Sequence, residues 1–282
     1  MTAPTPLPLS VVILTFNEEK HLPACLASIA ACDDVVVLDS GSTDRTVAIA
    51  RAAGARVVTH PFEDFARQRN FALQSIPFRH PFVFQLDADE TPTPALLAEC
   101  VARSSEATVD GFFAAPHMMF AGRWLRHCTD FPAWQARFVR VATFRYIQVG
   151  HGQREAPEMK MDFLREPYLH DVTVDDEAVW EQKHRRYARQ EAAEYLANHR
   201  AARVNWGSLL RGPALERRRN LKILSHRLPA RSLARLTYQY LWRCGFLDGA
   251  PGWRYCRLLA RYEGYIAGEI RRQRREVAHS AT

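Results

Sequence analysis

Phe82-Val-Phe-Gln-Leu-Asp87-Ala-Asp89-Glu90 is the stretch on which the reading of this chain turns. Its five mostly apolar residues, Val and Phe among them, predict a buried strand. Two carboxylates follow at i and i+2, and an extended backbone projects such a pair to one side. Paired acids at the carboxyl end of a buried strand suit a hard divalent cation, Mg²⁺ or Mn²⁺, which takes oxygen ligands and shares them with substrate phosphates. A D-x-D triplet alone is weak, since about one is expected by chance in a chain of this size. Its position gives it weight, because three strand-helix units precede it.

Leu9-Ser-Val-Val-Ile-Leu-Thr15 is a continuous apolar run, as in a central parallel strand covered on both faces. It ends at Thr15-Phe-Asn-Glu-Glu19, after which Leu22, Leu26 and Ile29 recur at helical spacing. Val35-Val-Val-Leu38 predicts a second strand, stopping at Asp39-Ser-Gly-Ser-Thr-Asp44. Ser42 or Thr43 is the expected cap of a helix reaching Ala53, with Gly54 as its stop. Arg56-Val-Val-Thr59 predicts a third strand, and 65–76 a helix halted by Pro77. After Asp89, Thr91-Pro-Thr-Pro opens a helix to about Arg103. Such alternation means an α/β fold with a mostly parallel sheet and right-handed crossovers. Ligands of such sheets bind outside the carboxyl ends of the strands, and the clusters Thr15–Glu18, Asp39–Asp44 and Asp87–Glu90 all fall there.

The remaining chain divides by composition. Short strand-like pieces, Gly111-Phe-Phe-Ala-Ala, Gln135-Ala-Arg-Phe-Val-Arg and Tyr146-Ile-Gln-Val, predict a mixed extension of the sheet from Val109 to about Val174, carrying the acceptor side of a site. From Asp176 the chain turns helical, with candidates at 185–203, 215–227, 233–241 and 255–272, punctuated by Gly207, Gly212-Pro213, Pro229 and Gly249-Ala-Pro-Gly252. Residues 1–176 carry 16 Lys+Arg against 22 Asp+Glu, whereas 177–282 carry 22 against 9. A net +13 in the tail suits an anionic surface, nucleic acid or anionic lipid, or else a set of solvated Arg-rich helix faces. Arg217-Arg-Arg219 and Arg271-Arg-Gln-Arg-Arg275 flank helices bearing Tyr238, Tyr240, Trp242, Trp253, Tyr255 and Tyr262, a composition for helices lying on an anionic bilayer. No helix-turn-helix, zinc or RNA-binding signature supports nucleic acid. Six cysteines without metal-ligand spacing fit a reducing compartment. The N-terminus does not read as a signal peptide, and no apolar run approaches about 20 residues. The expectation is a cytoplasmic protein held peripherally at the inner face of the membrane.

Val11-Val-Ile-Leu-Thr-Phe-Asn-Glu-Glu19, Asp39-Ser-Gly-Ser-Thr-Asp44, Gln68-Arg-Asn-Phe-Ala72 and Leu86-Asp-Ala-Asp-Glu90 resemble the motifs of inverting family 2 glycosyltransferases of the GT-A fold. The closer similarity is to the lipopolysaccharide core β-glucosyltransferase-like branch, through Gly122-Arg-Trp-Leu-Arg126, Pro132-Ala-Trp-Gln-Ala-Arg137, His151 and Phe246-Leu-Asp-Gly249. The resemblance implies a GT-A domain over 1–176, with a nucleotide-sugar half at 9–105 and an acceptor half at 106–176, followed by a basic helical C-terminal region at 177–282. A nucleoside diphosphate sugar, UDP-linked hexose foremost, would bind over the strand ends. Thr15, Asn17 and Glu18 would line the nucleoside pocket and Asp39 would meet base or ribose. The alternatives are that Asn17-Glu18 begins a helix and that Asp39 caps its own turn. Arg69 and Asn70 match the family's Arg-Asn pair, where a guanidinium can neutralise diphosphate, and Arg67 stands nearby. Asp87 and Asp89 would carry the metal-diphosphate, with Asp89 the direct ligand.

Inversion needs a base that deprotonates the acceptor hydroxyl as it attacks C1. Glu155, in His151-Gly-Gln-Arg-Glu155, is the first candidate, and Asp130 the second. His151 is an acceptor contact, a metal-shell residue or a structural histidine. Gln135 and Arg137 steady diphosphate or acceptor, or are plain strand polar residues. The acceptor would be an envelope glycolipid or polysaccharide precursor. Other readings are an inactive nucleotide-sugar-binding or membrane adaptor protein, and a sugar-phosphate nucleotidyltransferase, although the latter should open with a Gly-rich phosphate loop where this chain has Thr15-Phe-Asn-Glu.

Overall fold

The computed structural model describes residues 6–149, 152–199, 205–212, 220 and 230–279. His151, the expected helix 215–227 apart from Asn220, with its Arg217-Arg-Arg219 run, Pro213 and Pro229 lie outside them.

Two compact units divide the chain: Met1–Trp124 with Asp130–Val172, and Leu125–Thr129 with Thr173–Thr282. The first unit begins with β1 (Leu7–Thr15), α1 (Leu22–Ser28), β2 (Cys32–Asp39), α2 (Thr46–Ala52), β3 (Arg56–Thr59), α3 (Phe65–Ser75) and β4 (Phe82–Asp87). It continues with β5 (Glu90–Pro92), α4 (Pro94–Arg103), β6 (Gly111–Ala114), β7 (Pro116–Phe120), β8 (Arg123–Trp124), β9 (Gln135–Arg140), β10 (Tyr146–Val149), β11 (Gly152–Glu155), β12 (Met161–Phe163) and β13 (Tyr168–Asp171). A seven-stranded sheet runs β12-β6-β9-β4-β1-β2-β3, with β9 its one antiparallel member among the described residues. Strands β5-β13-β7-β8 form a second sheet and β10-β11 a hairpin. This is the mostly parallel α/β architecture that the strand-helix alternation predicts.

The apolar runs are continuous because both faces of the large sheet are covered. Val11 and Ile13 enter one core cluster with Phe82, Phe84 and Leu86, while Val12 and Leu14 enter the other with Val83 and Leu73. Each fully buried Val, Ile or Phe side chain contributes about 1.5–3 kcal/mol.

Local signals gave way where side chains had other partners. Helix α2 begins at Thr46, not at a Ser42 or Thr43 cap. Ser42 Oγ donates to Asp39 and Thr43 Oγ1 to Asn17, so the Asp44 carboxylate takes the Thr46 N–H instead (2.9 Å). In the second unit, Gly249-Ala-Pro-Gly252 opens the helix Gly249–His279 rather than separating helices. Pro251 is tolerated in a first turn, and a Cβ on Gly252 would lie 2.6 Å from the Asp248 side chain and from the Gly245 carbonyl. The helix expected at 185–203 starts earlier, as α5 (Glu177–His199), because Asp176 accepts the N–H groups of Ala178 and Val179. Helix α5 packs on Gly249–His279 through Ala188, Ala192, Tyr195, Ile266 and Ile270. Buried Asp248, from the Phe246-Leu-Asp-Gly249 motif, accepts the backbone N–H groups of Arg126, His127 and Cys128 at 2.8–3.1 Å and ties segment 125–129 into this unit.

At the amino end of the large sheet, buried Asp34 accepts from Ser10 Oγ (2.6 Å), the Arg79 N–H (2.8 Å) and Arg56 (2.8 Å). Burial alone would raise its carboxyl, but those three donors hold it below the usual carboxylate value. Its stabilisation is therefore present above that ordinary value and lost as pH falls through the lowered one. Asp34→Ala should cost about 2–3 kcal/mol near neutral pH by stranding buried donors, and the deficit should shrink under acid unfolding. Urea midpoints for both proteins at several pH values check this; a deficit independent of pH would refute it.

Candidate functional site

Parallel register aligns the expected residues. Thr15 pairs with Asp39 and Leu14 with Asp87, so the last residues of β1, β2 and β4 form one rim. The two loops beyond β1 and β2 are interlocked. Asn17, at φ 55°, accepts the Thr43 N–H through Oδ1 (2.8 Å) and gives its own N–H to Ser42 Oγ (2.8 Å). Thr46 Oγ1 accepts the Glu18 N–H (2.8 Å), Asp44 accepts the Glu19 N–H (3.1 Å), and the Glu19 carboxylate pairs with Arg45. Glu18 bonds His21 Nδ1 at 2.8 Å, and this hydrogen bond outweighs burial in raising the His21 imidazole.

Asp39 is 1% exposed and its carboxylate is engaged inside its own turn. Thr15 Oγ1 (3.0 Å) and Ser42 Oγ donate to Oδ1, and the N–H groups of Gly41 (2.9 Å) and Ser42 (2.8 Å) to Oδ2. Of the two uses open for this residue, the capping geometry is the one seen. Gly41, at φ 91°, permits the turn.

Arg69 is neither a solvated helix residue nor an exposed diphosphate clamp. It is fully buried, and NH2 donates to Asp87 Oδ1 at 2.6 Å while NH1 reaches Gln85 Oε1 at 3.3 Å. Asn70 brackets the β10 backbone, accepting the Tyr146 N–H (2.9 Å) and donating to the Tyr146 carbonyl (2.8 Å). Arg67 is exposed and pairs with Glu63 and Asp64.

Asp87 is gripped from the other side as well. Arg137, 2% exposed, donates to Asp87 Oδ2 (3.1 Å), to Glu90 Oε1 (2.5 Å) and to the Tyr168 hydroxyl (3.3 Å). A register shift between β6 and β9 leaves Arg137 as the unpaired residue of a bulge, the device by which a strand re-aims a side chain. Burial opposes ionisation of Asp87, yet the Arg69 and then the Arg137 guanidinium hold its carboxyl far below the ordinary range. Glu90, fully buried, goes the other way. Burial pushes it up to about 7, although Arg137 works against that. Its second oxygen accepts the Asp87 N–H at 2.9 Å. This bond closes a turn, so Asp87 and Asp89 do not lie along one extended strand; β4 ends at Asp87 and residues 88–89 are the turn.

Asp89 therefore faces a different neighbour, His170 Nε2 at 3.4 Å, with both side chains partly exposed. Burial tends to lower the imidazole, but Asp89, then Glu90 and Asp87, push it up to about 9. Among the described residues no group of three metal-ligating side chains is preassembled. The partly exposed Asp89 carboxylate nevertheless suits a hard cation, Mn²⁺ or Mg²⁺, which keeps waters or substrate phosphates as its other ligands, and the His170 nitrogen could join it on Mn²⁺ rather than on Mg²⁺. The His170 proton must leave for the ring to coordinate, so such binding tightens as pH rises. His170 escaped the sequence reading. It reaches the rim only because β13 pairs with β5, a contact with no local signal.

Glu155 sits on β11 opposite Tyr146, whose ring lies 6.0 Å from the Arg69 guanidinium carbon, and it approaches Arg154 at 3.8 Å. Asp130 is exposed ahead of β9. Neither residue belongs to the set of bonds described around Asp87.

Residues 10–153, just over half of the chain, match the sequence model described as glycosyl transferase family 2. The chain is 40% identical over 108 residues to a lipopolysaccharide core biosynthesis glycosyltransferase, LpsC, of Rhizobium meliloti, a stretch covering 36% of this chain and 39% of that protein. It is 37% identical over 83 residues to an uncharacterized glycosyltransferase of Rickettsia bellii, covering 29% of this chain and 28% of the other. It thus spans well under half the length of these relatives. Among solved structures, glucosyl-3-phosphoglycerate synthase from Mycobacterium tuberculosis in complex with Mn²⁺, UDP and glucosyl-3-phosphoglycerate is 26% identical over 41% of this chain and 44% of that one, with a TM-score of 0.33.

Removing one guanidinium should expose how far the rim depends on the ion cluster. Arg137→Met leaves Glu90 and one Asp87 oxygen buried without their partner and should cost about 3–5 kcal/mol of stability, read from denaturant midpoints. A loss under about 1 kcal/mol, as for a surface pair, would show that Arg137 does not hold the rim.

Proposed function

The chain belongs to glycosyltransferase family 2, and we propose that it moves a hexose from a UDP-linked sugar to an envelope glycan or glycolipid, such as a lipopolysaccharide core or exopolysaccharide precursor, inverting the anomeric carbon. The observation that carries this reading is the rim itself: the ends of β1, β2 and β4 in register, with the Asp89–His170 pair beside an Asp87 gripped by two buried arginines. The similarity to the Rhizobium protein supports the class of acceptor.

In this reading the interlocked loops 15–19 and 39–46 line the nucleoside pocket. Asn17 and Glu18 face the ligand, while buried Thr15 and Asp39, bonded to each other, hold the pocket wall in shape. Asp89 and His170 hold the divalent cation, which when bound supplies Lewis-acid stabilisation to the departing diphosphate. Asp87 and Arg69 act through position, because a carboxylate fixed by two guanidiniums keeps the 87–90 turn from moving as charge develops. Asn70 fixes β10 and with it the hairpin of Glu155, the residue that takes the proton of the acceptor hydroxyl; Asp130 is the second candidate. The first unit is the transferase domain, and the second unit is the region that meets the membrane.

Support for a membrane partner comes from the second unit. Leu241, Trp242, Phe246 and Leu247 are exposed, Trp242 to 82%. Residues 230–262 contain six arginines, of which Arg231 is buried against Glu263 while Arg254 and Arg261 pair with Glu177, so part of this charge is neutralised within the unit. Exposed apolar and aromatic side chains in a region of net positive sequence charge suit an anionic bilayer interface. No helix among the described residues is long and apolar enough to cross a membrane.

The donor site is tested by thermal stability with nucleoside diphosphates, with and without Mn²⁺. UDP with Mn²⁺ at 100 times its Kd should stabilise the protein by about 2.7 kcal/mol, and Asp89→Asn should abolish the Mn²⁺-dependent part. Absence of stabilisation by any nucleoside diphosphate would overturn the reading. For the membrane, Trp242→Ser with Leu247→Ser should weaken sedimentation with phosphatidylglycerol vesicles at least 10-fold, since each buried side chain is worth about 1.5–3 kcal/mol, and leave UDP binding unchanged. Wild-type protein that ignores the vesicles at low salt would exclude this partner.

A further inference from the structure

Segment 125–129 and the helix Gly249–His279 bring two cysteines together inside the second unit. Cys128 and Cys256 are both free and fully covered. Gly245 lies against the pair: a Cβ there would stand 2.8 Å from Cys128 Cβ and 3.2 Å from Cys256 Sγ. Position 245 thus accepts no side chain without displacing one of them. Beside it the Cys128 thiol donates to the Cys256 sulfur. Neither cysteine belongs to the rim around Asp87.

The backbone fixes Cys128 in this position. Asp248 accepts its N–H (2.8 Å), Gln239 Nε2 donates to its carbonyl (2.8 Å), and Arg243 donates to the Thr129 carbonyl (2.8 Å). The two thiols also differ chemically from the others. Cys25, Cys32 and Cys100 are pushed up by burial first of all, as inert buried thiols are. Cys256 goes the other way: the hydrogen bond from Cys128 lowers it against burial and Asp248, and Arg235 adds to the effect. Cys128, the donor of that bond, is pushed up by it, by burial and by Asp248. One sulfur is therefore disposed to lose its proton and its neighbour to keep it, the division between an attacking and a resolving cysteine. Cys244, just before Gly245, holds φ 58°, a left-handed backbone costly for a residue other than glycine. The turn laid against the two thiols is thus strained, and its opening gives a small reagent access to them.

We propose that Cys128 and Cys256 form a redox-active dithiol site, closed into a disulfide by a small peroxide and reopened by thiol reductants. The inference goes beyond the transferase reading and does not depend on it. The Cys256 thiolate attacks one peroxide oxygen, the O–O bond breaks, and Cys256 becomes a sulfenic acid as hydroxide leaves and takes up the proton that the thiolate had released. The Cys128 sulfur then attacks the Cys256 sulfur; the S–O bond breaks, and the sulfenic oxygen leaves as water with the Cys128 proton. The two thiols give up two electrons and the peroxide, reduced to two waters, accepts them. A dithiol reductant reverses the step by two exchanges and is itself oxidised to a disulfide. In a reducing compartment such a bond lasts only while the oxidant does. Closed, it joins segment 125–129 covalently to the long helix, where the reduced protein relies on hydrogen bonds to Asp248 and Gln239.

The test treats the full chain with hydrogen peroxide, blocks remaining thiols with an alkylating reagent and maps the cysteines by mass spectrometry without reduction. The expected product is a peptide pair joined through Cys128 and Cys256, lighter by two hydrogens and separated by dithiothreitol. Amide exchange at Arg126, His127 and Cys128 should slow about 10-fold in the oxidised protein, because local opening no longer frees the segment. Cys256→Ser should leave Cys128 a free thiol, whereas Cys128→Ser, lacking the resolving partner, should carry Cys256 on to a sulfinic acid. Unchanged melting temperatures confirm folded variants, and the wild-type map decides by itself if a variant fails to fold. Cys128 and Cys256 still thiols at a dose that oxidises half-buried Cys244 would overturn the proposal. So would a disulfide of either residue with Cys244, a sulfinic Cys256 beside a free Cys128 in wild type, or a Cys128–Cys256 bond that forms only in urea.

Discussion

Asp87 between two buried guanidiniums is the interaction on which the site depends. A carboxylate at the end of a buried strand, or an arginine with no exposed surface, is costly alone; the cost is met only when each has a partner in good geometry. Arg69 comes from α3, Arg137 from β9 and Asp87 from β4, so one ion cluster joins three elements under the rim. Glu90 completes it by accepting from Arg137 and from the Asp87 N–H, which bends the chain back at residues 88–89. Asp89 is thereby turned towards His170, and the two acids of one short motif receive different work.

The same principle shapes the other half of the rim. The Thr15–Glu19 and Asp39–Thr46 loops would be two flexible connections if each were considered alone. Their polar side chains bond mainly to the backbone of the opposite loop, so they form one piece. A pocket wall built this way is preorganised, because the ordering of two loops is completed at folding rather than at ligand binding. In the second unit Asp248 does comparable work, closing segment 125–129 with three backbone bonds.

Much of this was legible without coordinates. The apolar runs of β1, β2 and β4 reveal both their strand character and their burial on two faces, and strand-helix alternation implies parallel pairing, so Thr15, Asp39 and Asp87 belong on one edge. Local capping was less legible: Ser42 and Thr43 look like helix caps, yet both are engaged by Asp39 and Asn17, and Asp44 serves instead. Gly249–Gly252 looks like a break and is the start of a helix, because Gly252 answers a close approach by Asp248 that sequence does not display.

What the sequence alone determined is therefore periodic and local: which segments are strands, which face inward, and which polar clusters sit at their ends. Only the tertiary structure decided the partners of the charges. Arg69 reads as a helix arginine until α3 packs over Gln85 and Asp87. Arg137 reads as a strand arginine until a bulge turns it inward, and His170 is silent until β13 lies beside β5. The physical reason is range. Propensity and periodicity act over a few residues, whereas these contacts join positions 18, 50 and 81 residues apart in the chain, and a charge finds its partner only after the apolar core has brought the strands together.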